Sequence, residues 1–236
     1  MIDPLPSFAA IRSKLALTTA AGRRPLNPFW YRAIQSHFLS GTLGAPPTPL
    51  STGHTATIPG RFNDGMPTRA SFPVLYLAED HMVALFEVQA LLGSPATPGG
   101  IIPHPRTAWT ILNVRVNLSY VADLTIVAQQ GLFDTNAQEL TGDWRGYGSR
   151  TPFTSVNQPL GFPAPTQKLG DALHSYPDVE GFITLSAKLP EKMSLVVFPD
   201  KLIAGSYIEF HNPADKKTYS IKGPSANFGT TFKAKR

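Results

Sequence analysis

Cysteine is absent from all 236 residues of the chain. Its absence excludes disulfide bonds, thiolate zinc sites and a cysteine nucleophile, and it agrees with a cytoplasmic protein. No apolar run approaches the roughly 20 residues that a membrane helix needs. Residues 1–21 also lack the basic and apolar segments of a signal peptide. We therefore expect a cytoplasmic protein without a membrane span.

Charged residues make up only 16% of the chain, against about 25% in an average globular protein. The formal net charge is nevertheless +5, and a basic C-terminal extension that includes Lys233, Lys235 and Arg236 supplies part of it. A basic balance is compatible with a nucleic acid, an anionic small ligand or an acidic partner. Because chain ends are usually solvated and frayed, the extension alone favours none of these.

Hydrophobic periodicity predicts a mixed α/β protein. Apolar residues at helical spacing predict helices over residues 7–17, 79–92 and 167–174. Alternating or continuous apolar runs predict strands over residues 27–38 (a strand or a bend), 74–78, 109–117, 181–185 and 194–198, and a hairpin of 207–210 with 218–221. Residues 120–124 are expected to extend the 109–117 strand. Residues 41–73, rich in Gly, Pro, Ser and Thr, are expected to form a long loop.

The organisation of the chain favours one domain. It has no internal repeat, no heptad pattern and no clear linker. We expect a single domain over residues 1–236, of the α+β class, with helices packed on a curved sheet. Its core is expected at about residues 27–210.

Four polar segments follow one another in a characteristic order. They are Tyr31-Arg32, then Gly60-Arg61-Phe62-Asn63 with Gly65, then Leu75-Tyr76-Leu77-Ala78 with Ala84 and Glu87, and finally Thr166 and Leu169-Gly170 followed by Gly181 and Ser186-Ala187. In this order the segments resemble the RES family, which is named for its arginine, glutamate and serine, over about residues 30–199. The chain departs from the family at Phe62, where tryptophan is usual, and at Leu185, where proline is usual. Segments 93–105 and 129–165 are longer than in a minimal member.

The resemblance implies an ADP-ribosyltransferase-like fold and an enzyme that consumes NAD. NAD would be a substrate rather than a redox cofactor, which agrees with the lack of a Rossmann glycine motif or a P-loop in the sequence. No cofactor is expected. By residue matching, the catalytic candidates are Glu87, Arg61 and Tyr76. The substrate-binding candidates are Arg32, Arg61, Asn63, Tyr76 and Ser186.

The charged candidates suit this chemistry. Cleavage of the nicotinamide–ribose bond passes through an oxocarbenium-like state, which a carboxylate such as Glu87 stabilises. Guanidinium groups bind phosphate oxygens in a bidentate manner, so Arg32 and Arg61 suit the pyrophosphate. The structural alternatives are a solvated glutamate on a helix and arginines in ion pairs or on the surface.

The neutral candidates each have two interpretations. Tyr76 contacts the ligand, or it is a core aromatic residue with a wet hydroxyl. Asn63 contacts the ligand or fixes the loop that carries Arg61. Ser186 bonds a phosphate or a ribose hydroxyl, or it lies in a plain turn. It has no nucleophile-elbow context.

Three classes of function stay open at this point. The favoured one is a toxin-like enzyme that degrades NAD with water or phosphate as the acceptor, and its alternative is transfer of ADP-ribose to a protein. The second class is a basic RNA-binding or nuclease toxin. Because the sequence carries no nucleic-acid motif, direct binding of nucleic acid is not expected. The third class is a non-catalytic interaction domain, against which the complete set of candidates argues.

The resemblance also implies a partner. RES toxins are commonly neutralised by a cognate antitoxin with an Xre-type DNA-binding domain that blocks the pocket. If the chain is instead a delivered effector domain, an immunity protein would take that place. A homodimer is left open. The six histidines show no metal-ligand spacing, so no metal site is predicted.

Overall fold

The computed structural model describes residues 17–18, 26–39, 48–64, 72–93, 100–103, 107–145 and 163–224. The strands in these ranges are β1 (Leu17–Thr18), β2 (Phe29–Gln35), β3 (Leu75–Ala78), β4 (Leu91–Gly93), β5 (Ile101–Pro103), β6 (Trp109–Asn117), β7 (Val121–Asp123), β8 (Gly181–Leu185), β9 (Met193–Val197), β10 (Tyr207–Asn212) and β11 (Lys217–Lys222). The α-helices are α1 (His81–Glu87), α2 (Val127–Leu132), α3 (Ala137–Thr141) and α4 (Pro165–Ser175). Short 3₁₀ helices cover Ser36–Phe38, Gly53–Ala56 and Pro199–Lys201.

One large sheet organises the fold. Its strand order is β1-β7-β8-β9-β3-β2-β6-β10-β11, and β4 pairs with β5 separately. β2 pairs with β6 along the whole of Phe29–Gln35, and β3 pairs with β9 along the whole of Leu75–Ala78. Between β2 and β3, in contrast, the register joins only Tyr31 and Ala78. The sheet therefore opens at this junction, near its middle.

The sheet is curved. On one of its faces, strands that are far apart in the strand order contribute to a single buried core. Val121 of β7 and Phe210 of β10 belong to the same buried cluster as Trp30 and Leu77. The helices cover the opposite face, where Leu173 of α4 packs in a second cluster. This architecture confirms the predicted α+β class with helices on a curved sheet.

Helix α1 is shorter than the helix predicted over 79–92. Asp80 caps its start, since its side chain accepts a hydrogen bond from the amide of Val83 at 2.9 Å. The helix ends at Glu87, and Gln89 then adopts a left-handed φ of 60°. Residues other than glycine rarely adopt that conformation, so the hydrophobic periodicity did not predict the turn. The chain continues into β4 instead.

The extension of β6 through residues 120–124 is also wrong. β6 ends at Asn117, and residues 121–123 form a separate strand that pairs in parallel with β8. The buried carboxylate of Glu180 causes the break, because it accepts hydrogen bonds from the amides of Ser119 at 2.6 Å and Tyr120 at 2.9 Å. Amides that bind a side chain cannot continue the ladder.

Some sequence predictions fall outside the described residues. The helix over 7–17 does, except for Leu17, which begins β1. Gly65 and the basic extension with Lys233, Lys235 and Arg236 do as well. Among the residues that are described, no helix is long and apolar enough to cross a membrane. The expected long loop over 41–73 is described in part and contains the 3₁₀ helix Gly53–Ala56.

Candidate active site

A cavity of about 300 Å³ lies where β2 and β3 separate. Alternation along β2 places Tyr31 and Ala33 on the face that α1 covers and Arg32 on the opposite face. All three residues line the cavity, because it occupies the gap between the strands. Segment 59–62, β3 and α1 supply further parts of the wall. The opening of the sheet thus brings together side chains that are far apart in sequence.

Arg61 and Glu87 form an ion pair in the wall of this cavity. Nη2 of Arg61 donates to Oε2 of Glu87 at 2.9 Å, and the two side chains are 10% and 25% exposed. Partial burial strengthens the pair, since solvent screens it less than a surface pair. Nε of Arg61 is buried and has no hydrogen-bond partner within the described part of the chain. Arg61 therefore orients the carboxylate and keeps one donor unused.

The second carboxylate oxygen of Glu87 is held by the segment that follows β8. The hydroxyl of Ser186 donates to Oε1 at 2.6 Å, and the amide of Ala187 donates to the same oxygen at 3.1 Å. Ser186 is completely buried, and its hydroxyl accepts hydrogen bonds from the amides of Lys188 and Leu189 at 3.2 Å each. Ser186 thus lies behind Glu87. Its predicted contact with the ligand stays a prediction.

The segment after β8 also holds the other end of α1. Nζ of Lys192 lies 3.2 Å from carboxylate oxygens of both Glu79 and Asp80. The amide of Glu79 donates to the carbonyl of Met193 at 3.1 Å. Residues 186–192 therefore run alongside α1 and fix it at both ends, which sets the position of Glu87.

Asn63 and Tyr76 fix the loop that carries Arg61. The Tyr76 hydroxyl donates to Oδ1 of Asn63 at 2.9 Å and accepts the amide of Phe62 at 3.1 Å. The side-chain amide of Asn63, only 1% exposed, donates to the carbonyls of Thr55 and Ile58. Burial raises the pKa of Tyr76, so the phenol stays neutral. The geometry favours the loop-fixing interpretation of Asn63, and the ring of Tyr76 lines the cavity.

Helix α4 supports the same loop from behind. Nε2 of Gln167 donates to the carbonyls of Gly60 at 3.0 Å and Asn63 at 3.3 Å. Gly170 lies so close to the loop that a Cβ there would overlap the carbonyl oxygen of Phe62. A Cβ at Gly60 would likewise overlap the side chain of Asn63. The sequence motifs include both glycines, whereas no motif indicated a role for Gln167.

Arg32 approaches the cavity from the other face of the sheet. Its guanidinium donates to the carbonyls of Pro49 at 3.3 Å and Ser51 at 3.2 Å. Within the described ranges no carboxylate forms an ion pair with it. Burial lowers the pKa of Arg32 to about 10, so the group remains charged at neutral pH. Burial lowers the pKa of the nearby His54, and the positive charge of Arg32 lowers it further.

Three further cavity residues escaped the sequence analysis. The guanidinium carbon of Arg145 lies 5.5 Å from the ring centroid of Trp144, and both residues line the cavity. The aromatic–arginine pair in segment 129–165 was the available signal. Ser194 of β9 also lines the cavity, and its buried hydroxyl has no hydrogen-bond partner among the described residues. A serine inside an apolar strand gives no sequence signal.

The arrangement suits an anionic ligand on which positive charge develops. Glu87 is the one acidic side chain that the described residues contribute to the cavity wall, beside three arginines. The described part of the chain contains no group of three or more His, Asp or Glu side chains that could hold a metal ion. The candidates Arg32, Arg61, Tyr76 and Glu87 are brought together at the cavity, and Asn63 and Ser186 lie directly behind it.

Comparison with known proteins decides the family. The model of the RES domain matches residues 29–216. The chain belongs to the RES domain family. A solved structure of similar fold is the M. tuberculosis MbcT–MbcA toxin–antitoxin complex, matched over 91% of each chain with a TM-score of 0.53 and 15% sequence identity. No curated protein matches this RES chain in sequence. The family match confirms the resemblance drawn from the four polar segments.

Proposed function

We propose that this RES protein is a toxin-like enzyme that cleaves the nicotinamide–ribose bond of NAD and passes the ADP-ribosyl group to water or phosphate. The observation that carries the proposal is the constrained carboxylate of Glu87. It faces a cavity whose described wall also contains the guanidinium groups of Arg61 and Arg32. Membership of the RES family supports NAD as the substrate.

The proposed step uses the carboxylate electrostatically. The bond between the pyridinium nitrogen and C1′ of the ribose breaks, and its electron pair goes to the nitrogen, which leaves as neutral nicotinamide. Positive charge develops on C1′ and the ring oxygen, and Glu87 stabilises it. Water or phosphate then attacks C1′, and the proton of an attacking water passes to Glu87 or to solvent. Hydrogen bonds from Ser186 and Ala187 keep the carboxylate in one orientation throughout.

Both arginines are proposed to stabilise the pyrophosphate, Arg32 by direct hydrogen bonds and Arg61 by the positive charge of its guanidinium. Arg32 carries a charge that no carboxylate in the described ranges neutralises, because its partners there are backbone carbonyls. Charge-assisted hydrogen bonds to phosphate oxygens are about twice as strong as neutral ones. The ring of Tyr76 is proposed to pack against the ligand, since its hydroxyl is occupied by Asn63 and Phe62.

The cavity does not distinguish among acceptors, because the chemistry up to bond cleavage is the same. Transfer of ADP-ribose to a protein therefore remains the alternative reaction. One solved structure of similar fold is a toxin–antitoxin complex, which supports the proposal that an antitoxin, of the Xre type as the family implies, covers this cavity. An immunity protein and a homodimer remain alternative partners.

The test is nicotinamide release from NAD by the purified protein, with water alone, with phosphate and with candidate proteins. Glu87→Gln keeps the acceptor for Ser186 and removes the charge, so we expect kcat to fall at least about 100-fold and KM to change little. Glu191→Gln, at an exposed glutamate outside the cavity, is the matched control and should retain full activity.

The products separate the remaining possibilities. Free ADP-ribose, its phosphorylated form or a labelled protein identifies the acceptor. If Glu87→Gln keeps its activity while nicotinamide is released, the site assignment is wrong. If the wild-type protein releases no nicotinamide with any acceptor, the proposed reaction is wrong.

A further inference from the structure

The floor of the cavity contains a polar group that the proposed mechanism does not use. Ser194 lies on β9, opposite Ala78 of β3 and Thr184 of β8. Its side chain is on the same face of the sheet as the ring of Tyr76, and the residue is only 6% exposed. Ser194 lines the cavity, and its buried hydroxyl has no hydrogen-bond partner among the described residues. A buried hydroxyl in that state is unfavourable, and a ligand group that hydrogen-bonds to it would remove the cost.

The surroundings of Ser194 define the shape of that ligand group. Three small residues, Ala33, Ala78 and Ala84, line the cavity and belong to one buried cluster between the sheet and α1. Apolar walls of this kind accept a flat ring at low desolvation cost. Nε–H of Arg61, a residue that also lines the cavity, is a second buried donor without a partner among the described residues. An apolar slot with one N–H donor and one hydroxyl suits an aromatic ring that bears a carboxamide.

We infer that Ser194 recognises the carboxamide of the nicotinamide base, with its Oγ accepting an amide N–H while Nε–H of Arg61 donates to the carbonyl. The inference rests on the proposed function, to which it adds the orientation of the leaving group. The apolar slot turns the ring so that the glycosidic bond faces Glu87. A base without the amide N–H would leave Ser194 unpaired again, so the site discriminates against it.

The test compares two substrates in three proteins. NAD and its 3-acetylpyridine analogue differ in that the acetyl group has no N–H. Ser194→Ala should lower kcat/KM for NAD about tenfold, equivalent to about 1.4 kcal/mol, and should leave the analogue nearly unchanged. Thr184→Val is the matched control. It removes a neighbouring buried hydroxyl that has no partner in the described ranges. Thr184 is not among the lining residues of the cavity, so both substrates should react as in the wild type.

Stability and direct binding complete the test. Because Ser194→Ala removes an unpaired polar group, its Tm should equal or exceed that of the wild type. Equal losses for NAD and the analogue, or the same loss in Thr184→Val, would overturn the inference. If no protein releases nicotinamide, the proposed function fails, and binding of free nicotinamide against 3-acetylpyridine, followed by NMR, still decides the inference. Preference for nicotinamide that Ser194→Ala abolishes supports it, and no such preference refutes it.

Discussion

Arg61 and Arg32 line one cavity, yet their guanidinium groups are held in different ways. Arg61 is fixed by the carboxylate of Glu87, on a loop that Tyr76 and Gln167 hold in place. Arg32 extends from the opposite face of the sheet, and its hydrogen-bond partners in the described part of the chain are backbone carbonyls. A carboxylate partner neutralises charge and gains orientation, whereas carbonyl partners leave the charge for a ligand.

This difference suits the two walls of the cavity to different roles, one in the chemistry and one in binding the substrate. The wall formed by α1 and the loop 60–63 is densely hydrogen-bonded, so it suits chemistry that needs a carboxylate in one orientation. The wall formed by β2 presents a cation, so it suits an anchor for the phosphates. Removing the arginine of each wall should therefore produce different kinetic effects.

The largest effect is expected for Arg61→Met. The change leaves Glu87 without its cation in a partly buried position and removes the Nε–H donor. We expect kcat/KM for NAD to fall roughly 100- to 1000-fold, with kcat carrying most of the loss. Stability should fall by about 1–3 kcal/mol, since one partner of a partly buried pair is lost. Steady-state kinetics and urea unfolding measure the two quantities.

Arg61→Lys is the appropriate control, because it keeps the charge near Glu87 and loses the planar geometry. It should lie between the wild type and Arg61→Met in kcat. A rise in KM alone for Arg61→Met, with kcat retained, would show that both walls serve only to bind the substrate.

A smaller effect is expected for Arg32→Met. The loss of one charged donor to phosphate raises KM about 10- to 100-fold and changes kcat less than about threefold. Arg115→Met is the matched control, since Arg115 is exposed on β6 and lies outside the cavity wall. It should leave both constants unchanged. A loss of kcat in Arg32→Met comparable to that in Arg61→Met would remove the distinction between the walls.

Much of the sheet was predictable because its strands are strongly periodic. The strand from Trp109 to Asn117 alternates, and the strand from Gly181 to Leu185 is mostly apolar. The end of α1 and the break after Asn117 were not, since they depend on a left-handed residue and on the carboxylate of Glu180. Both causes are tertiary or conformational, and hydrophobic patterns carry neither.

The site was predictable in its residues but not in its geometry. The order of the four polar segments named Arg61, Glu87 and Ser186, which the structure joins in one hydrogen-bonded chain. No local pattern revealed that Ser186 is buried behind Glu87. Nor did any pattern reveal Ser194, because its significance comes from an unpaired hydroxyl beside a cavity.

The smallest kinetic effect is expected for Tyr76→Phe, which separates the ring from the hydroxyl. The ring keeps its place in the cavity wall, so kcat/KM should fall less than about fivefold. The buried Asn63 and the amide of Phe62 each lose a partner, which should lower stability by about 1–3 kcal/mol at neutral pH. Kinetics and urea unfolding of the same preparations give both numbers. A loss of activity as large as that of Arg61→Met would assign the hydroxyl to the chemistry.

The pH dependence sharpens this last prediction. Burial raises the pKa of Tyr76 in the folded protein above the ordinary 10.0, so the folded state favours the neutral phenol. The contribution of the Tyr76 hydroxyl to stability is present below pH 10. It is lost as the pH rises towards the pKa that Tyr76 has in the folded protein. The stability difference between wild type and Tyr76→Phe should therefore be constant from about pH 7 to 9 and shrink above about pH 10. A difference that stays constant through pH 10 and above would show that the hydroxyl does not hold the loop as a neutral donor.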